Sequence, residues 1–188
     1  HLRVVAIGED LAREKNFNDF TNYLVREPKV ALRLKLIFVQ GGQARDLFYA
    51  EQDFEKLLGA KIVALGQSQE KLALTRTNNF LQFVSDLGKT KGTAFGSRVV
   101  IQGPERMIIR DGAAVYKDWK LAAWLYADEA QAANWLIKKT LPLVLAAEGN
   151  NTFTYQINKW SRKIIPNFSN EKISFVVKIK TQGMIKEE

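Results

Sequence analysis

Cysteine is absent from this chain of 188 residues, and its single histidine is the first residue, His1. The lack of cysteine excludes a disulfide framework, thiol catalysis and cysteine-based zinc sites. A Ser-His-Asp triad or a histidine metal cluster would have to use His1. The sequence contains neither GxGxxG nor GxxxxGK[ST], so the common nucleotide-binding loops are missing. These absences exclude most familiar catalytic centres, and we expect no metal and no cofactor.

Long apolar runs are also absent. No stretch approaches the roughly 18 residues that a membrane-spanning helix needs, so the sequence predicts no such helix. The apolar fraction is 46% and the charged fraction 26%, which is typical of a folded protein and argues against disorder.

What the chain has in excess is positive charge. It carries 28 Lys and Arg against 20 Asp and Glu, for a net charge of +8 and a pI of about 9.6. This excess favours an anionic partner, such as nucleic acid, an anionic membrane surface or a cell-wall polymer. A basic surface that is merely solvated fits the same composition equally well.

The first part of the sequence predicts a βαβ unit. Residues 2–7 form an apolar run typical of a buried strand, and residues 31–40 alternate like a second strand. Between them, apolar residues recur with helical spacing from Phe17 to Leu24, and Pro28 ends the helix. A strand–helix–strand connection of this length predicts two parallel strands.

Helices and a loop are predicted next. A short helix is indicated over residues 43–49, and amphipathic helices over 54–65 and 77–87, the last with Thr77 as its N-cap. The glycine-rich, basic residues 88–96 are interpreted as a loop or linker.

Short strands dominate after Pro104. Asp111-Gly112 predicts a tight hairpin between residues 107–110 and 113–117, with Gly112 at positive φ. A further strand, 120–125, follows a turn at Asp118-Trp119. The remaining elements are a helix from Asp128 that buries Ala132, Trp135 and Leu136, a hairpin of 143–147 with 151–160, and strands at 163–165 and 173–181.

The whole pattern predicts an α+β fold. It has an N-terminal part with a βαβ unit and packed helices, followed by a strand-rich mixed sheet region with one amphipathic helix. We expect residues 1–103 to be the end of an N-terminal α/β-type domain plus a linker. Residues 104–188 are then a strand-rich region, and we interpret the chain as a fragment of a longer protein.

Several isolated features are candidates for chemistry, each with a structural alternative. Gly41-Gly42 could hold a phosphate after a strand, but the fingerprint is missing and a plain turn is favoured. The acidic pairs Glu9-Asp10 and Asp53-Glu55 could act as acid and base, although such residues near helix starts usually stabilise the helix dipole.

Two features are candidates for binding. Trp119, in a predicted turn, is a possible interface anchor, and the equally favoured alternative is that it folds back over the sheet. Basic residues concentrate after Thr152, and Lys178 and Lys180 lie two apart on one strand face. Such a face could meet phosphates, or it could be a solvated face or a protected sheet edge.

The stretch from Asp111 to Leu136 carries a longer pattern. It consists of a glycine, a strand ending in Tyr-Lys-Asp, a Lys-Leu pair, a Trp-Leu pair, an acidic helix start and a second Trp-Leu. The positions that carry it are Gly112, Lys117, Asp118, Lys120, Leu121, Trp124, Leu125 and Trp135. This stretch resembles the Ger(x)C family, the C subunits of spore germinant receptors.

Softer motifs extend the resemblance over nearly the whole chain. They are the IGEDLA block, the GQARDLF segment, SRKIIPNF and FVVKIKTQGMI. The departures are mild: Glu27-Pro28 replaces the usual Asp-Pro, and Ala122-Ala123 replaces Val-Gly. The lipidated cysteine of the family is not in this sequence. The resemblance implies that residues 104–188 lead into the start of the family's last domain and that both ends of the full protein are missing.

The resemblance implies a non-catalytic lipoprotein on the outer face of the spore inner membrane. Its partners would be the A and B subunits of a germinant receptor and the membrane surface, through a lipid anchor outside this chain, with no nucleic acid. The alternative function is a basic protein that binds a polyanion such as nucleic acid or wall polymer. A carboxylate-dependent hydrolase is a third hypothesis, and it would need two acids in one cleft.

Overall fold

The computed structural model describes residues 3–14, 17–27, 33–50, 64, 79–89, 92–103, 107–137, 143–147, 153–169 and 172–186. The chain divides into two compact units, residues 1–132 and 133–188. The predicted boundary at residue 103 stays a prediction. Of the predicted features, Thr77, Pro28, the acidic pair Asp53-Glu55 and the helix over 54–65, apart from Ala64, lie outside the described residues.

A mixed sheet forms the first unit. Its strands are β1 (Val4–Gly8), β2 (Lys35–Val39), β3 (Thr93–Gln102), β4 (Met107–Ile109), β5 (Ala113–Lys117) and β6 (Lys120–Leu125). The described helices of the chain are α1 (Glu9–Arg13), α2 (Phe17–Arg26), a 3₁₀ helix (Ala44–Tyr49), α3 (Phe80–Leu87) and α4 (Ala127–Ile137).

The order of strands in this sheet is β1-β2-β3-β5-β6, with β4 also paired to β3. Strands β1 and β2 are parallel and joined through α1 and α2, so the predicted βαβ unit is confirmed. Strand β3 runs parallel to β2, and β5 and β6 are antiparallel additions. The predicted α+β class is therefore confirmed.

The predicted loop over residues 88–96 is wrong at its end, because β3 begins at Thr93. Gly96 lies inside this strand for a steric reason. A Cβ at Gly96 would lie 2.0 Å from Cε2 of Phe38, whose ring occupies the space that a side chain would need. Glycine here permits close packing of β2 against β3 and does not mark a loop.

The predicted hairpin between residues 107–110 and 113–117 is also wrong. Both β4 and β5 pair with β3, which is long enough to hold β5 along its first half and β4 along its last residues. Gly112 does have the positive φ predicted for it, 68°. The Asp-Gly pair therefore redirects the chain without closing a two-residue hairpin.

Aromatic rings fill the core of the first unit. Tyr116 is fully buried, with ring centroids 4.7 Å from Phe17, 5.1 Å from Phe38 and 5.3 Å from Phe83. Its hydroxyl donates a hydrogen bond of 2.8 Å to the carbonyl of Ala12, so the buried phenol is satisfied. Burial raises the pKa of Tyr116 well above its ordinary value of 10.0, which keeps this donor protonated.

Two helices differ from the sequence-based expectations, α3 in its first residue and α4 in its buried face. The N-cap of α3 is Asn79, whose side chain accepts the Gln82 N–H at 2.8 Å. In α4, Ala132 and Leu136 are exposed and Trp135 is half-buried, so the predicted buried face is wrong. The buried positions are Ala130 and Asn134, four residues apart and hence on one side of the helix.

The sheet of the second unit comprises β7 (Leu143–Ala147), β8 (Phe153–Ser169) and β9 (Lys172–Lys186), all antiparallel. The predicted hairpin of 143–147 with 151–160 is confirmed. The separate strands predicted at 151–160 and 163–165 are one strand, β8, because β9 pairs with it from Thr154 to Ser169. Beyond Ile157, β8 is paired with β9 alone among the described strands.

Candidate functional site

Most of the motif residues lie on the β5–β6 hairpin. Asp118 and Trp119 have φ values of 49° and 64°, which places both central residues of the turn in the left-handed region. Lys117 and Lys120 lie opposite each other beside this turn, and both are exposed. Gly112 is buried at the other end, where a Cβ would lie 2.1 Å from the carbonyl oxygen of Leu125. These residues determine the shape of the hairpin.

The apolar residues of the motif attach the hairpin to the core. Trp119, Leu121 and Trp124 are partly buried and pack against the core cluster. Leu125 is half-buried opposite Ala113. Trp119 thus folds back over the sheet, the alternative that the sequence left open, and its role as an interface anchor stays a prediction. Trp135 belongs to the second unit.

Glu9 is held at the carboxyl ends of β1 and β2. Its Oε2 accepts the Gly41 N–H at 2.5 Å, and its Oε1 accepts from Arg13 and from Trp124 Nε1 at 3.3 Å. Burial acts to raise the pKa of Glu9, but the hydrogen bonds from Gly41, Arg13 and Trp124 outweigh it and lower the pKa below its ordinary value. An ionised carboxylate with these internal partners stabilises the fold and is poorly suited to acid catalysis.

The same contact accounts for Gly41-Gly42. The Gly41 N–H binds Glu9, and the carbonyl of Gly42 accepts the Glu9 N–H at 3.1 Å. The amide that a phosphate would need therefore binds a carboxylate of the protein itself. This favours the plain turn over the phosphate site.

An ion pair between the buried Arg98 and the half-buried Asp111, which sequence reasoning missed, lies beside this turn. Arg98 Nη1 donates to Asp111 Oδ1 at 2.5 Å, and the Arg98 side chain is 8% exposed. Its Nε donates to the side chain of Gln40, and its guanidinium lies 4.6 Å from the ring centroid of Tyr126. The signal in the sequence is a single arginine inside the apolar run of β3. Because its partners are all internal, the pair links β2, β3 and the start of β5.

Groups typical of metal sites or membrane spans are not found in the part of the chain that the structure describes. No three His, Cys, Asp or Glu side chains come together there in a group that could hold a metal ion. None of the described helices is long and apolar enough to cross a membrane.

The β8–β9 hairpin has two chemically distinct faces. Opposed residues share a face of the sheet, and successive residues of a strand alternate between the two faces. The register of β8 with β9 therefore shows on which face each side chain lies. We call one side the apolar face, which consists of Ile164, Phe168, Ile173, Phe175, Val177 and Ile179. We call the other the lysine face, after Lys159, Lys163, Lys172, Lys178 and Lys180.

The apolar face is covered at one end. Trp160, which lies on the same side, packs edge-on against Trp135 with ring centroids 5.1 Å apart. Arg162 Nη1 donates to the carbonyl of Trp135 at 3.0 Å, which fixes the contact. Further along, Phe168 is 72% exposed and Phe175 is 63% exposed. The rest of the apolar face is therefore open in the described structure.

The lysine face is exposed along its length. An open depression of about 250 Å³ lies at its end nearest β7, between Lys159 and Lys180. It is largely open to solvent, so it does not enclose a small molecule as a typical ligand pocket does. The hairpin therefore offers two broad surfaces and no enclosed ligand site.

Comparison with known proteins identifies relatives along the whole chain. Residues 1–100 match the family described as the spore germination protein N-terminal domain, and residues 111–188 match "Spore germination B3/ GerAC like, C-terminal". The chain is 24% identical to spore germination protein B3 and 24% identical to spore germination protein YndF, both of Bacillus subtilis (strain 168). It is covered completely in both comparisons and spans 51% and 46% of these relatives, or about half of their length.

The fold has a counterpart among solved structures. The crystal structure of the GerBC protein matches all of this chain with a TM-score of 0.68 at 22% identity, over 54% of the GerBC chain. The family that the sequence motifs indicated is thus confirmed by independent matches to both halves of the chain. The chain belongs to the GerAC-like family of spore germination proteins.

Proposed function

We propose that this chain is part of the lipoprotein C subunit of a spore germinant receptor. In this role it acts without catalysis, beside the membrane A and B subunits, in nutrient-triggered germination at the outer face of the spore inner membrane. The support is membership of the spore germination family together with the resemblance to receptor C subunits. The observation that carries a protein-binding role is the open apolar face of the β8–β9 hairpin.

The apolar face is unusual for a solvated sheet. Antiparallel sheets normally bury one face and expose a polar one. Here Ile173 and Phe175 lie on the apolar face, which a sheet would normally bury, yet they are 64% and 63% exposed. Contiguous apolar patches of this kind mark protein or membrane contact sites. A protein partner packed on this face would remove its aromatic and branched apolar side chains from water, which favours association.

The polar networks of the first unit support a role without catalysis. Glu9 is ionised and bound by internal donors, and Arg98 and Asp111 satisfy each other. A hydrolase of the carboxylate type needs one acid with a raised pKa near a second carboxylate. The pKa of Glu9 is lowered instead, so this carboxylate does not support the hydrolase hypothesis. Asp53 and Glu55 lie outside the described residues.

Two neighbouring valines provide a matched test. Val177 lies on the apolar face and Val176 on the lysine face, and they are 39% and 48% exposed. The full-length protein carrying Val177→Gln or Val176→Gln would be immunoprecipitated from detergent-solubilised spore membranes. We expect wild type and Val176→Gln to recover multi-span membrane proteins, and Val177→Gln to lose them at an unchanged level of the subunit. Equal recovery with all three would contradict the assignment of the apolar face.

A further inference from the structure

The lysine face contains a repulsive pair. Lys163 and Lys178 lie directly opposite each other across β8 and β9. Like charges in this position destabilise a sheet. Neither lysine forms an ion pair with a described residue, and the two strands contain no Asp or Glu at all. The two lysines therefore do not stabilise the hairpin, and their presence calls for another explanation.

The other lysines extend the same charge along the ribbon. Lys159, Lys172 and Lys180 are exposed on this face. Strand residues advance about 3.3 Å each, so the stretch from Lys172 to Lys180 covers roughly 26 Å. A two-stranded ribbon bearing positive charge on one side over this length fits a broad anionic surface better than a single phosphate group.

The distribution of aromatic residues separates two kinds of anionic partner. Proteins that bind single-stranded nucleic acid place aromatic rings beside their basic residues, so that bases can stack. On this hairpin Trp160, Phe168 and Phe175 lie on the apolar face, and the lysine face has no aromatic side chain within the described strands. The lysine face can therefore attract charge but has no means of stacking bases.

We propose that the lysine face of the β8–β9 hairpin docks on an anionic lipid bilayer. Lysines near such a surface are attracted to its headgroups without inserting, and the attraction weakens with salt. In this orientation the apolar face points away from the lipid and remains accessible to a protein partner. The inference adds to the proposed location at the membrane, because it assigns the surface of this chain that meets the lipid.

The test measures binding of the 188-residue protein to vesicles at 50 mM and 500 mM salt. The vesicles contain equal parts of phosphatidylglycerol and phosphatidylcholine, or phosphatidylcholine alone. We expect binding to the anionic vesicles at low salt, loss of binding at high salt, and no binding to the neutral ones. Substituting both lysines, Lys163→Gln with Lys178→Gln, should weaken binding by about 25-fold, since each surface lysine contributes about fivefold.

The control is a second opposed lysine pair among the described strands, Lys117 and Lys120 on the β5–β6 hairpin. Lys117→Gln with Lys120→Gln removes the same charge, and we expect binding to change by less than about twofold. Lys163→Arg with Lys178→Arg keeps the charge and should retain binding even if packing is altered.

Equal losses from both glutamine pairs would overturn the proposal, because binding would then depend on the net charge of the protein and not on the lysine face. No binding by the wild type, or tighter binding to duplex DNA or heparin than to vesicles at equal salt, would overturn it as well. A vesicle result of either kind leaves the immunoprecipitation test of the apolar face unaffected.

Discussion

Trp124 Nε1 donates a hydrogen bond of 3.3 Å to Glu9 Oε1, and the two residues are 115 positions apart in the sequence. The contact joins the edge strand β6 to the start of α1, directly after β1. It explains why a tryptophan of the motif is half-buried on an edge strand and why a glutamate follows the first strand. Both residues position the hairpin against the βαβ unit.

The Glu9 contact predicts a specific dependence of stability on pH. Because the folded-state pKa of Glu9 is lowered from 4.5, its contribution is present above the unfolded value and is lost as pH falls through the folded value. Glu9→Gln should therefore lower the unfolding midpoint most above pH 4.5, and the difference from wild type should shrink in acid. Urea denaturation at a series of pH values measures this, and a difference that does not vary with pH would refute the assignment.

The Arg98–Asp111 pair predicts a large stability effect from a single truncation. Asp111→Ala leaves the guanidinium of Arg98, at 8% side-chain exposure, without its carboxylate partner. We expect a loss of about 3 kcal/mol in the free energy of unfolding. Adding Arg98→Met should restore part of it. The exposed pair of Arg13 with Glu9 provides the control, since Arg13→Ala should cost less than about 1 kcal/mol. Similar losses from both truncations would show that the burial of Arg98 has no energetic consequence.

Gly112 and Gly103 separate backbone strain from steric clash. Both have positive φ, 68° and 75°, but a Cβ at Gly112 would lie 2.1 Å from the Leu125 carbonyl oxygen while one at Gly103 meets nothing within 4 Å. Gly103→Ala should destabilise by about 1 kcal/mol, the conformational term alone. Gly112→Ala should cost at least about 1 kcal/mol more. Chemical denaturation measures both, and equal values would mean that the backbone at Leu125 yields without penalty.

The opposed lysines predict a variant that is more stable yet binds less. Lys178→Glu converts the pair with Lys163 into an attractive one and should stabilise the hairpin by about 0.5 kcal/mol. Lys180→Glu, opposite Ser161, should give a smaller gain. Thermal unfolding compares the two, and the vesicle assay should show weaker binding for both. A loss of stability in Lys178→Glu would mean that the register of the pair is not the one described.

Local patterns were sufficient for some elements of the fold. The apolar run of β1 and the alternation of β2 depend on neighbouring residues, and so does the Asp118-Trp119 turn. Two features failed because their causes are distant in sequence. Gly96 by itself indicates a loop, but it lies in a strand because the ring of Phe38 packs against it. Asp111-Gly112 by itself indicates a hairpin, but β4 and β5 both pair with β3 and not with each other.

The functional surfaces show the same limit. The spacing of Lys178 and Lys180 placed them on one strand face, but the repulsion of Lys178 with Lys163 depends on the register of β8 with β9. Likewise, sequence reasoning did not single out Arg98, because its pairing with Asp111 requires the return of the chain to β3. Most residues of the family motif lie on the β5–β6 hairpin, at its turn or packed against the core, whereas Trp135 belongs to the second unit.

The nutrient response of spores tests the receptor role of the chain and the role of the apolar face together. The full-length gene would be deleted and then restored as wild type, Val177→Gln or Val176→Gln, with the subunit quantified in each strain. We expect deletion and Val177→Gln to slow or abolish nutrient-triggered germination, and wild type and Val176→Gln to restore it. A normal nutrient response in the deletion strain would contradict the receptor role of the chain, and a normal response with Val177→Gln would contradict the role of the apolar face.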